Sequence, residues 1–229
     1  MPFLLLYPLF YWALKTRRSA LVFKLKRLWA RLIAYGSFLF PRISYQKKPY
    51  TLPSPCVVVG NHTSYLDIVF SVFYINHTAV YMGKYELLKI PLFGNFFRYL
   101  DIPVNRRSLT DSHKAFTQAG HKLDQGLSLV IYPEGTISPE GKLRNFKNGA
   151  FRLAVSRQVP IVPIVNFNNW EFLQNGGFFK SKGGVGRPQI LVGEPITTTG
   201  LDESHVSELR DKVHTFIKEQ LEKQHAKQN

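Results

Sequence analysis

The stretch CVVVGNHTSYLD, residues 56–67, decides the fold of this chain. Its first four residues form an apolar run that a glycine ends, which is typical of a buried strand entering a turn. The apolar residues 68–74 that follow suit a buried helix. A histidine, His62, therefore lies at a strand-to-helix junction. Open α/β sheets place ligands and chemistry at such junctions, beyond the carboxyl ends of their strands.

His62 and Asp67 within this stretch have two interpretations. A histidine is neutral near pH 7 and accepts a proton, and a nearby carboxylate can hold its other ring nitrogen and stabilise the cation. Alternatively, Ser64-x-x-Asp67 is a helix-start pattern, in which Ser64 caps the helix and Asp67 accepts a free N–H. These residues alone leave catalysis and capping open.

Length and charge narrow the class of protein. The 229 residues suffice for one α/β domain, and the lone cysteine, Cys56, excludes a disulfide within the chain. The net charge is +15, and ten lysines and arginines precede the first acidic residue, Asp67. This distribution predicts a negatively charged partner, either an anionic lipid surface or a nucleic acid.

The first 48 residues predict a membrane-associated helical segment. Residues 2–14 carry no charge, but they are too few to span a bilayer and Pro8 interrupts them. Residues 20–35 place leucines 21, 25, 28 and 32 at helical spacing, with lysines 24 and 26 and arginines 27 and 31 on much of the remaining surface. Such a helix suits a bilayer interface, although it could also pack on the domain with its basic face in water.

The remainder of the chain, residues 49–229, alternates predicted strands with predicted helices. Prolines 41, 49, 53 and 55 indicate a linker into it, and apolar runs predict strands near 56–59, 79–82, 101–104, 127–132, 159–165 and 188–193. The prolines of the run 159–165 favour an edge or a bulge. We expect an α/β fold, a single domain with a mostly parallel mixed sheet flanked by helices.

Several predicted strands are followed by polar residues. Arg106 and Arg107 form a suitable phosphate fork, or else a solvated loop. Glu134-Gly135-Thr136 could bind a substrate hydroxyl or a cation, or form a turn. The glycine-bounded basic loop 141–149 leads into a helix, where basic residues and free N–H groups favour an anion.

Four blocks of this sequence together resemble the glycerolipid acyltransferases, the lysophosphatidic acid acyltransferase family. Residues 61–67 match its histidine-x4-aspartate box. The other three blocks follow in the family's order: Gly83-Lys84 through Pro91, Gly94 and Val104-Asn105-Arg106; Tyr132-Pro133-Glu134-Gly135-Thr136; and Val159-Pro160-Ile161-Val162-Pro163. Phe146 to Phe151 also resembles its lysine-glycine segment. The resemblance covers about residues 56–165, and four blocks in order are far more specific than one.

The resemblance implies a glycerol-phosphate acyltransferase-like domain that moves an acyl group from a thioester to the hydroxyl of a lysophospholipid. The donor would be acyl carrier protein or coenzyme A, used as co-substrate without a further cofactor or a metal. His62 would be the general base and Asp67 would orient it. Arg106 and Glu134-Gly135-Thr136 would bind the acceptor's glycerol phosphate. Lys84, Arg107 and Lys147 are lesser candidates for the same role.

One position departs from the family pattern. Many members carry arginine after Glu-Gly-Thr, whereas this chain has Ile137. Arg107, Arg144 or Lys147 could supply the missing cation. Lysophosphatidic acid is the expected acceptor, and a lyso-aminolipid is the alternative. We also expect an apolar tunnel between the domain and the N-terminal helices that measures the acyl chain, with Phe93, Phe96 and Phe97 as candidates.

Two other function classes remain to be weighed. A nucleic-acid-binding module fits the charge, but the basic segment also carries Trp, Phe and Leu, which is the lipid-surface pattern, and no nucleic acid is expected as a partner. A thioester hydrolase would use the same base with water as acceptor. For the acyltransferase we expect a monotopic protein on the cytoplasmic face of the inner (plasma) membrane, bound to an anionic lipid surface.

Overall fold

A computed structural model describes residues 2–47, 51–138, 141–175 and 181–227. The helices are α1 (Pro2–Lys15), α2 (Ser19–Gly36), α3 (Leu66–Tyr74), α4 (Gly94–Tyr99), α5 (Leu109–Asp124), α6 (Gly149–Ser156), α7 (Asn169–Phe172) and α8 (Val206–Ala226), with 3₁₀ turns at Tyr85–Lys89 and Glu203–His205. The strands are β1 (Arg42–Tyr45), β2 (Val57–Gly60), β3 (Ala79–Lys84), β4 (Ile102–Val104), β5 (Ser128–Ile131), β6 (Ile161–Asn166) and β7 (Gln189–Val192). The predicted alternation of strands and helices is confirmed.

Within the described residues, seven strands form one sheet in the order β1-β7-β6-β2-β5-β3-β4. Neighbouring strands run parallel except β6 and β7, which pair antiparallel. The predicted fold class, a mostly parallel mixed sheet flanked by helices, is therefore confirmed. The strands β2, β3, β4, β5 and β6 point the same way, so their carboxyl ends meet at one edge.

Helices cover both faces of this sheet, so side chains on both faces of its strands are buried. This explains why the strands are continuous apolar runs in the sequence. Val57 and Val59 of β2 face a core shared with α5, α6 and α8. Cys56 and Val58 face the opposite core, which α2 and α3 cover. Burial of the Cys56 thiol raises its pKa to about 11, so this cysteine is a core residue.

Of the two expectations for residues 159–165, an edge or a bulge, the edge position is wrong. Strand β6 lies between β2 and β7, inside the sheet. Pro163 is tolerated there because it lies opposite Gly193, one residue beyond the last β6–β7 pair, Ile164 with Val192. The Gly193 N–H donates to the carbonyl of Pro163 at 2.8 Å, so only a terminal hydrogen bond of the ladder is absent.

The segment expected to be a linker contains part of the sheet. Residues 42–45 form β1, which pairs in parallel with β7. This short strand was missed because Arg42-Ile43-Ser44-Tyr45 alternates over only four residues and follows a proline. The expected boundary between residues 48 and 49 falls outside the described residues and stays a prediction.

Helices α1 and α2 pack together, α1 against α4 and α2 against α3. The basic face expected for α2 needs one correction, because Lys26 is 9% exposed and points into the protein. Its Nζ lies 2.9 and 2.7 Å from the two carboxylate oxygens of Asp101, which also accepts the Tyr81 N–H at 3.1 Å. A buried charge needs such a partner, so this ion pair ties α2 to the sheet.

Both N-terminal helices nevertheless leave an apolar stripe in solvent. On α1, Leu5, Leu9 and Trp12 are exposed, and on α2, Leu28, Leu32 and Tyr35 are exposed. Each set has the spacing i, i+4, i+7 of one helix face. Leu25, predicted to share the stripe of Leu28 and Leu32, is buried against the domain. Across the parts of the chain that the structure describes, no helix is both long and apolar enough to cross a bilayer.

Candidate active site

The predicted site residues follow parallel strands of the sheet. His62 comes after β2, Lys84 ends β3, Arg106 comes after β4, and Glu134-Gly135-Thr136 comes after β5. The carboxyl ends of these strands meet at one edge, so the fold gathers side chains that are up to 74 positions apart. The expectation that the chemistry lies beyond the carboxyl ends of the strands agrees with this placement.

His62 and Asp67 form a hydrogen-bonded pair. Nδ1 of His62 lies 2.8 Å from Oδ2 of Asp67, and the Asp67 carboxylate is fully buried. The carboxylate acceptor favours the tautomer in which Nδ1 carries the proton, so Nε2 is the nitrogen with a free lone pair. His62 itself is partly exposed and lines a cavity. In this arrangement a substrate proton can reach Nε2.

Asp67 both caps the helix and holds His62. Oδ2 of Asp67 also accepts the N–H groups of Thr63 and Ser64, at 2.7 and 2.9 Å, just ahead of α3. The Ser64 hydroxyl accepts the Leu66 N–H and donates to the carbonyl of Leu173. Capping and pairing therefore fix the Asp67 carboxylate in one position.

The loop after β5 holds His62 from behind. Oε1 of Glu134 accepts the backbone N–H of His62 at 2.9 Å, and the Ser138 N–H donates to the His62 carbonyl at 2.7 Å. The ring of Tyr132 stacks on the imidazole, with centroids 4.2 Å apart and planes 16° from parallel. These three contacts fix both the backbone and the ring plane of His62.

Glu134 was expected to contact the acceptor, but its carboxyl group lies behind His62 and is not among the groups that line the cavity. Glu134 is 5% exposed, and its Oε2 has no hydrogen-bond partner among the residues that the structure describes. Burial raises the pKa of Glu134 to about 8, against the opposing effect of the His62 N–H. Near pH 7 this carboxyl is therefore protonated, which removes the cost of a buried anion.

Glu134 should make the protein less stable as the pH rises. Its folded pKa of about 8 exceeds its ordinary value of 4.5, so its stabilising contribution is complete below pH 4.5 and is lost as the pH rises through 8. We expect Glu134→Gln, which stays neutral and keeps an acceptor for the His62 N–H, to lose this dependence. Thermal unfolding of both proteins between pH 5 and 9 checks this expectation. As the pH rises over that range, the free energy of unfolding of the variant should increase by several kcal/mol relative to that of the parent.

The exposed Glu208 supplies the control for this measurement. Glu208→Gln should leave the pH dependence of the melting temperature as it is in the parent. If Glu134→Gln and the parent differ in melting temperature by the same amount at pH 5 and pH 9, Glu134 does not titrate as described.

His62 faces a cavity of about 390 Å³ with basic and neutral donors around it. Lys84, Arg106 and Lys147 line this cavity, as do Gly135 and Thr136. Partial desolvation lowers the pKa of Arg106, which stays a cation. Ile137 also lines it, so the residue that replaces the family's arginine faces the same space. Arg107 and Arg144 are exposed and do not line the cavity.

A second cavity, of about 230 Å³, adjoins the first beneath α2. Both cavities are lined by Tyr65, Ile68, Met82, Gly83, Leu87 and Tyr132. The second cavity is otherwise largely apolar, and Phe93, Phe96 and Phe97 all line it, together with Trp29 of α2. Gly83 permits this junction, because a Cβ there would lie 2.6 Å from the ring of Phe97. An apolar space between the domain and α2 is therefore present, and its expected role in measuring the acyl chain stays a prediction.

Sequence reasoning missed several groups around His62. The motif blocks include Tyr132 without giving it a role, and they do not include Asn166 or Asn169. Both asparagines are fully buried, and Nδ2 of Asn169 donates to Oδ1 of Asp67 at 2.7 Å. The available signal was a polar residue directly after an apolar strand, at the same edge of the sheet as His62.

Comparisons with known proteins identify the family of this chain. The acyltransferase family model matches residues 42–166. Human 1-acyl-sn-glycerol-3-phosphate acyltransferase beta is 36% identical over 167 residues, which cover 72% of this chain and 59% of that protein. The 1-acyl-sn-glycerol-3-phosphate acyltransferase of Haemophilus influenzae is 28% identical over 178 residues, which cover 73% of this chain and 69% of that protein.

The fold also has a solved counterpart. The crystal structure of the 1-acyl-sn-glycerophosphate (LPA) acyltransferase PlsC from Thermotoga maritima superposes with a TM-score of 0.73. The superposition covers 99% of this chain and 98% of the PlsC chain at 23% sequence identity. This likeness concerns the fold. The resemblance inferred from the four motif blocks is confirmed by the family match. The chain belongs to the acyltransferase family.

Proposed function

We propose that this protein transfers a fatty acyl group from a thioester to the hydroxyl of a lysophospholipid at a membrane surface. The observation that carries the proposal is the His62–Asp67 pair at 2.8 Å, which faces a cavity with cations on one side and an apolar extension on the other. A lysophospholipid has an anionic head group, a hydroxyl and an apolar chain. The names of the matched relatives support the same acceptor class.

The chemistry needs one base that first accepts a proton and later donates it. Nε2 of His62 takes the proton of the acceptor hydroxyl as that oxygen bonds to the thioester carbonyl carbon. Asp67 holds the resulting imidazolium through Nδ1. Collapse of the tetrahedral intermediate breaks the carbon–sulfur bond, and the sulfur takes the proton back from His62. The products are an ester and a free thiol, and the carrier is coenzyme A or acyl carrier protein.

The acceptor phosphate binds among the three cations of the larger cavity. Lys84, Arg106 and Lys147 lie around the space that His62 faces, and the Thr136 hydroxyl is available as a further donor. Arginine binds phosphate oxygens in a bidentate manner, so Arg106 is the main contact. Lys147 replaces the charge that Ile137 does not supply, since its Nζ lies close to Gly135. The favoured acceptor is therefore lysophosphatidic acid and the product is phosphatidic acid.

Arg106→Ala should raise the KM for lysophosphatidic acid about ten- to a hundredfold, because it removes a charge-assisted hydrogen bond. The KM for the thioester and for a phosphate-free acceptor, a monoacylglycerol, should not change. Arg107→Ala is the matched control, because Arg107 is adjacent but does not line the cavity. Initial rates with each acceptor measure these constants. An equal loss with the monoacylglycerol would contradict a phosphate-binding role.

We place an acyl chain in the apolar cavity under α2. This cavity adjoins the space at His62, and its wall includes the aromatic side chains of Phe93, Phe96 and Phe97. The buried ion pair between Lys26 and Asp101 lies in the same wall and holds α2 over it. A chain that enters from His62 therefore meets an apolar space of about 230 Å³, and this size favours chains of limited length.

The exposed stripes of α1 and α2 rest in a lipid interface in this proposal. Leu5, Leu9 and Trp12 would insert among acyl chains, and the exposed Arg17 and Arg18 between the helices would meet anionic head groups. Such a protein is monotopic. The anionic lipid surface that it binds is the cytoplasmic face of the inner (plasma) membrane. A single-chain acceptor would reach the cavity directly from that surface.

Replacing exposed leucines of α1 should release the protein from membranes without unfolding it. Leu5→Ser with Leu9→Ser removes two apolar side chains that are 83% and 43% exposed. We expect partition into anionic vesicles to fall by roughly tenfold or more, measured by co-sedimentation. Val185→Ser is the control, because Val185 is 69% exposed but lies on neither helix. Deletion of residues 1–40 is a weaker test, since it also leaves Asp101 buried without Lys26.

The acceptor class is tested with purified protein, one acyl thioester and a panel of lyso-lipids that differ only in head group. We expect the highest kcat/KM with lysophosphatidic acid, formation of phosphatidic acid, and much lower values with lysophosphatidylcholine and lyso-aminolipids. A preference for a lyso-aminolipid would replace the acceptor in this proposal. No transfer to any lyso-lipid would refute the proposal.

A further inference from the structure

A network of three buried asparagines contacts the Asp67 carboxylate through Asn169. Asn61, directly after β2, and Asn166, the last residue of β6, exchange three hydrogen bonds of 2.8 to 2.9 Å. Asn169, at the start of α7, donates from Nδ2 to Oδ1 of Asp67 at 2.7 Å and to Oδ1 of Asn166 at 3.2 Å. All four side chains are fully buried.

The network defines which way the Asn169 amide faces. Nδ2 of Asn166 donates to the Asn61 carbonyl, so Oδ1 of Asn166 is the acceptor that faces Asn169. The NH₂ group of Asn169 must therefore point toward both Asn166 and Asp67. Asn61 and Asn166 in turn join the ends of two adjacent strands. Asn169 is thus held by the sheet in the orientation that donates to the carboxylate.

The two oxygens of Asp67 have different partners. Oδ2 faces Nδ1 of His62 and accepts two backbone N–H groups, and Oδ1 accepts from Asn169. A buried carboxylate needs hydrogen bonds to remain ionised. The hydrogen bond to Oδ1 also opposes rotation of the carboxylate, which would move Oδ2 away from the imidazole.

We propose that Asn169 is a positioning residue for the general base, and that its amide fixes the Asp67 carboxylate so that Oδ2 faces Nδ1 of His62. Asn169 acts through Asp67 and lines neither cavity. The inference rests on the proposed acyl transfer. It places a functional residue beyond residue 166, where the acyltransferase family model stops matching.

Removal of the Asn169 donor changes both the rate and its pH dependence. The anionic form of the pair, with neutral His62 and ionised Asp67, loses a hydrogen bond. The pair therefore holds a proton more tightly, and the acid limb of the pH profile of kcat moves to higher pH. The other titratable groups near the pair are Glu134 and Tyr132 after β5, Tyr74 of α3, and the cavity cations Lys84, Arg106 and Lys147. The side-chain hydrogen bonds of Asn169 go to Asp67 and Asn166, so its removal acts on the pair itself.

The test compares kcat, KM and the pH profile of acceptor-dependent thiol release in the parent, Asn169→Ala, Asn169→Asp and Asn168→Ala. We expect Asn169→Ala to lower kcat about ten- to a hundredfold at unchanged KM for the acceptor, with the acid limb about one pH unit higher. Asn169→Asp keeps the volume of the side chain but places a second carboxylate beside Asp67, so its limb should move further. Asn168 binds the Gln189 N–H of β7 and not the site, so Asn168→Ala should leave the limb in place.

Each outcome decides the role of Asn169. A lower kcat together with an acid limb at higher pH supports the positioning role of Asn169. If Asn169→Ala does not fold, Asn169→Asp supplies the same measurement. A limb at the parent's pH in both Asn169 variants, with or without a lower rate, overturns the inference and leaves Asn169 a structural residue. Absence of transfer by the parent protein would refute the proposed function instead, so the two failures are distinguishable.

Discussion

His62→Ala is expected to lower kcat for acyl transfer about 10²- to 10⁴-fold, because it removes the only group proposed to take the acceptor's proton. The backbone of residue 62 keeps its hydrogen bonds to Glu134 and Ser138, which do not involve the imidazole. We therefore expect the melting temperature and vesicle binding to stay near those of the parent. The KM for lysophosphatidic acid should also change little, since the cavity cations remain.

His77→Ala provides the matched control for this variant. His77 is also partly buried and hydrogen-bonded, to the Ser128 hydroxyl at 2.5 Å, but it precedes β3 and lies at the amino ends of the strands. Its replacement should leave kcat unchanged. Rates are compared by release of the carrier thiol in the presence of acceptor. Parent-like activity in His62→Ala would remove the base from the mechanism.

Asp67→Asn is expected to produce the second-largest effect, a loss of about 10²- to 10⁴-fold in kcat. The substitution keeps the volume of the side chain but removes the charge that stabilises the imidazolium. In either orientation the new amide also turns an NH₂ group toward donors that the carboxylate accepts, either the Thr63 and Ser64 N–H groups or the Asn169 NH₂. The measurement is kcat at several pH values, together with the melting temperature.

An equivalent surface pair supplies the control for Asp67→Asn. Oδ1 of Asp202 lies 2.8 Å from Nδ1 of His205 at the start of the turn before α8, the same separation as in the site. Asp202→Asn removes an exposed helix-start carboxylate and should not change kcat. If Asp67→Asn kept parent activity at a lower melting temperature, Asp67 would serve only as a cap.

Much of the fold could be predicted because its signals are local. The runs at 56–59 and 129–131 are apolar throughout, since helices cover both faces of the sheet, and each is followed by a turn that carries His62 or Glu134. The prolines gave a wrong position for β6, because the cost of a missing N–H depends on whether it falls inside a ladder or at its end, and Pro163 lies at the end of the β6–β7 ladder. Strand β1 was missed because its partner, β7, lies about 147 residues away in the chain.

The candidate site was only partly predictable for the same reason. Motif blocks identify residue types, so they point to His62 and Arg106, which line one cavity, but they do not give side-chain directions. The buried position of Glu134 behind His62 depends on how the loop after β5 packs. The ion pair of Lys26 with Asp101 joins residues 75 apart, and within α2 Lys26 reads like its exposed neighbour Lys24. Tertiary contacts decide such cases.

Acceptor dependence of thiol release tests the central claim most directly. Purified protein on anionic vesicles is given one acyl thioester with and without lysophosphatidic acid, and free thiol and phosphatidic acid are measured together. The proposed general-base transfer at His62 predicts thiol release that requires the acceptor and equals the phosphatidic acid formed, mole for mole. Thiol release at the same rate without acceptor, and without phosphatidic acid, would contradict it and indicate a thioester hydrolase.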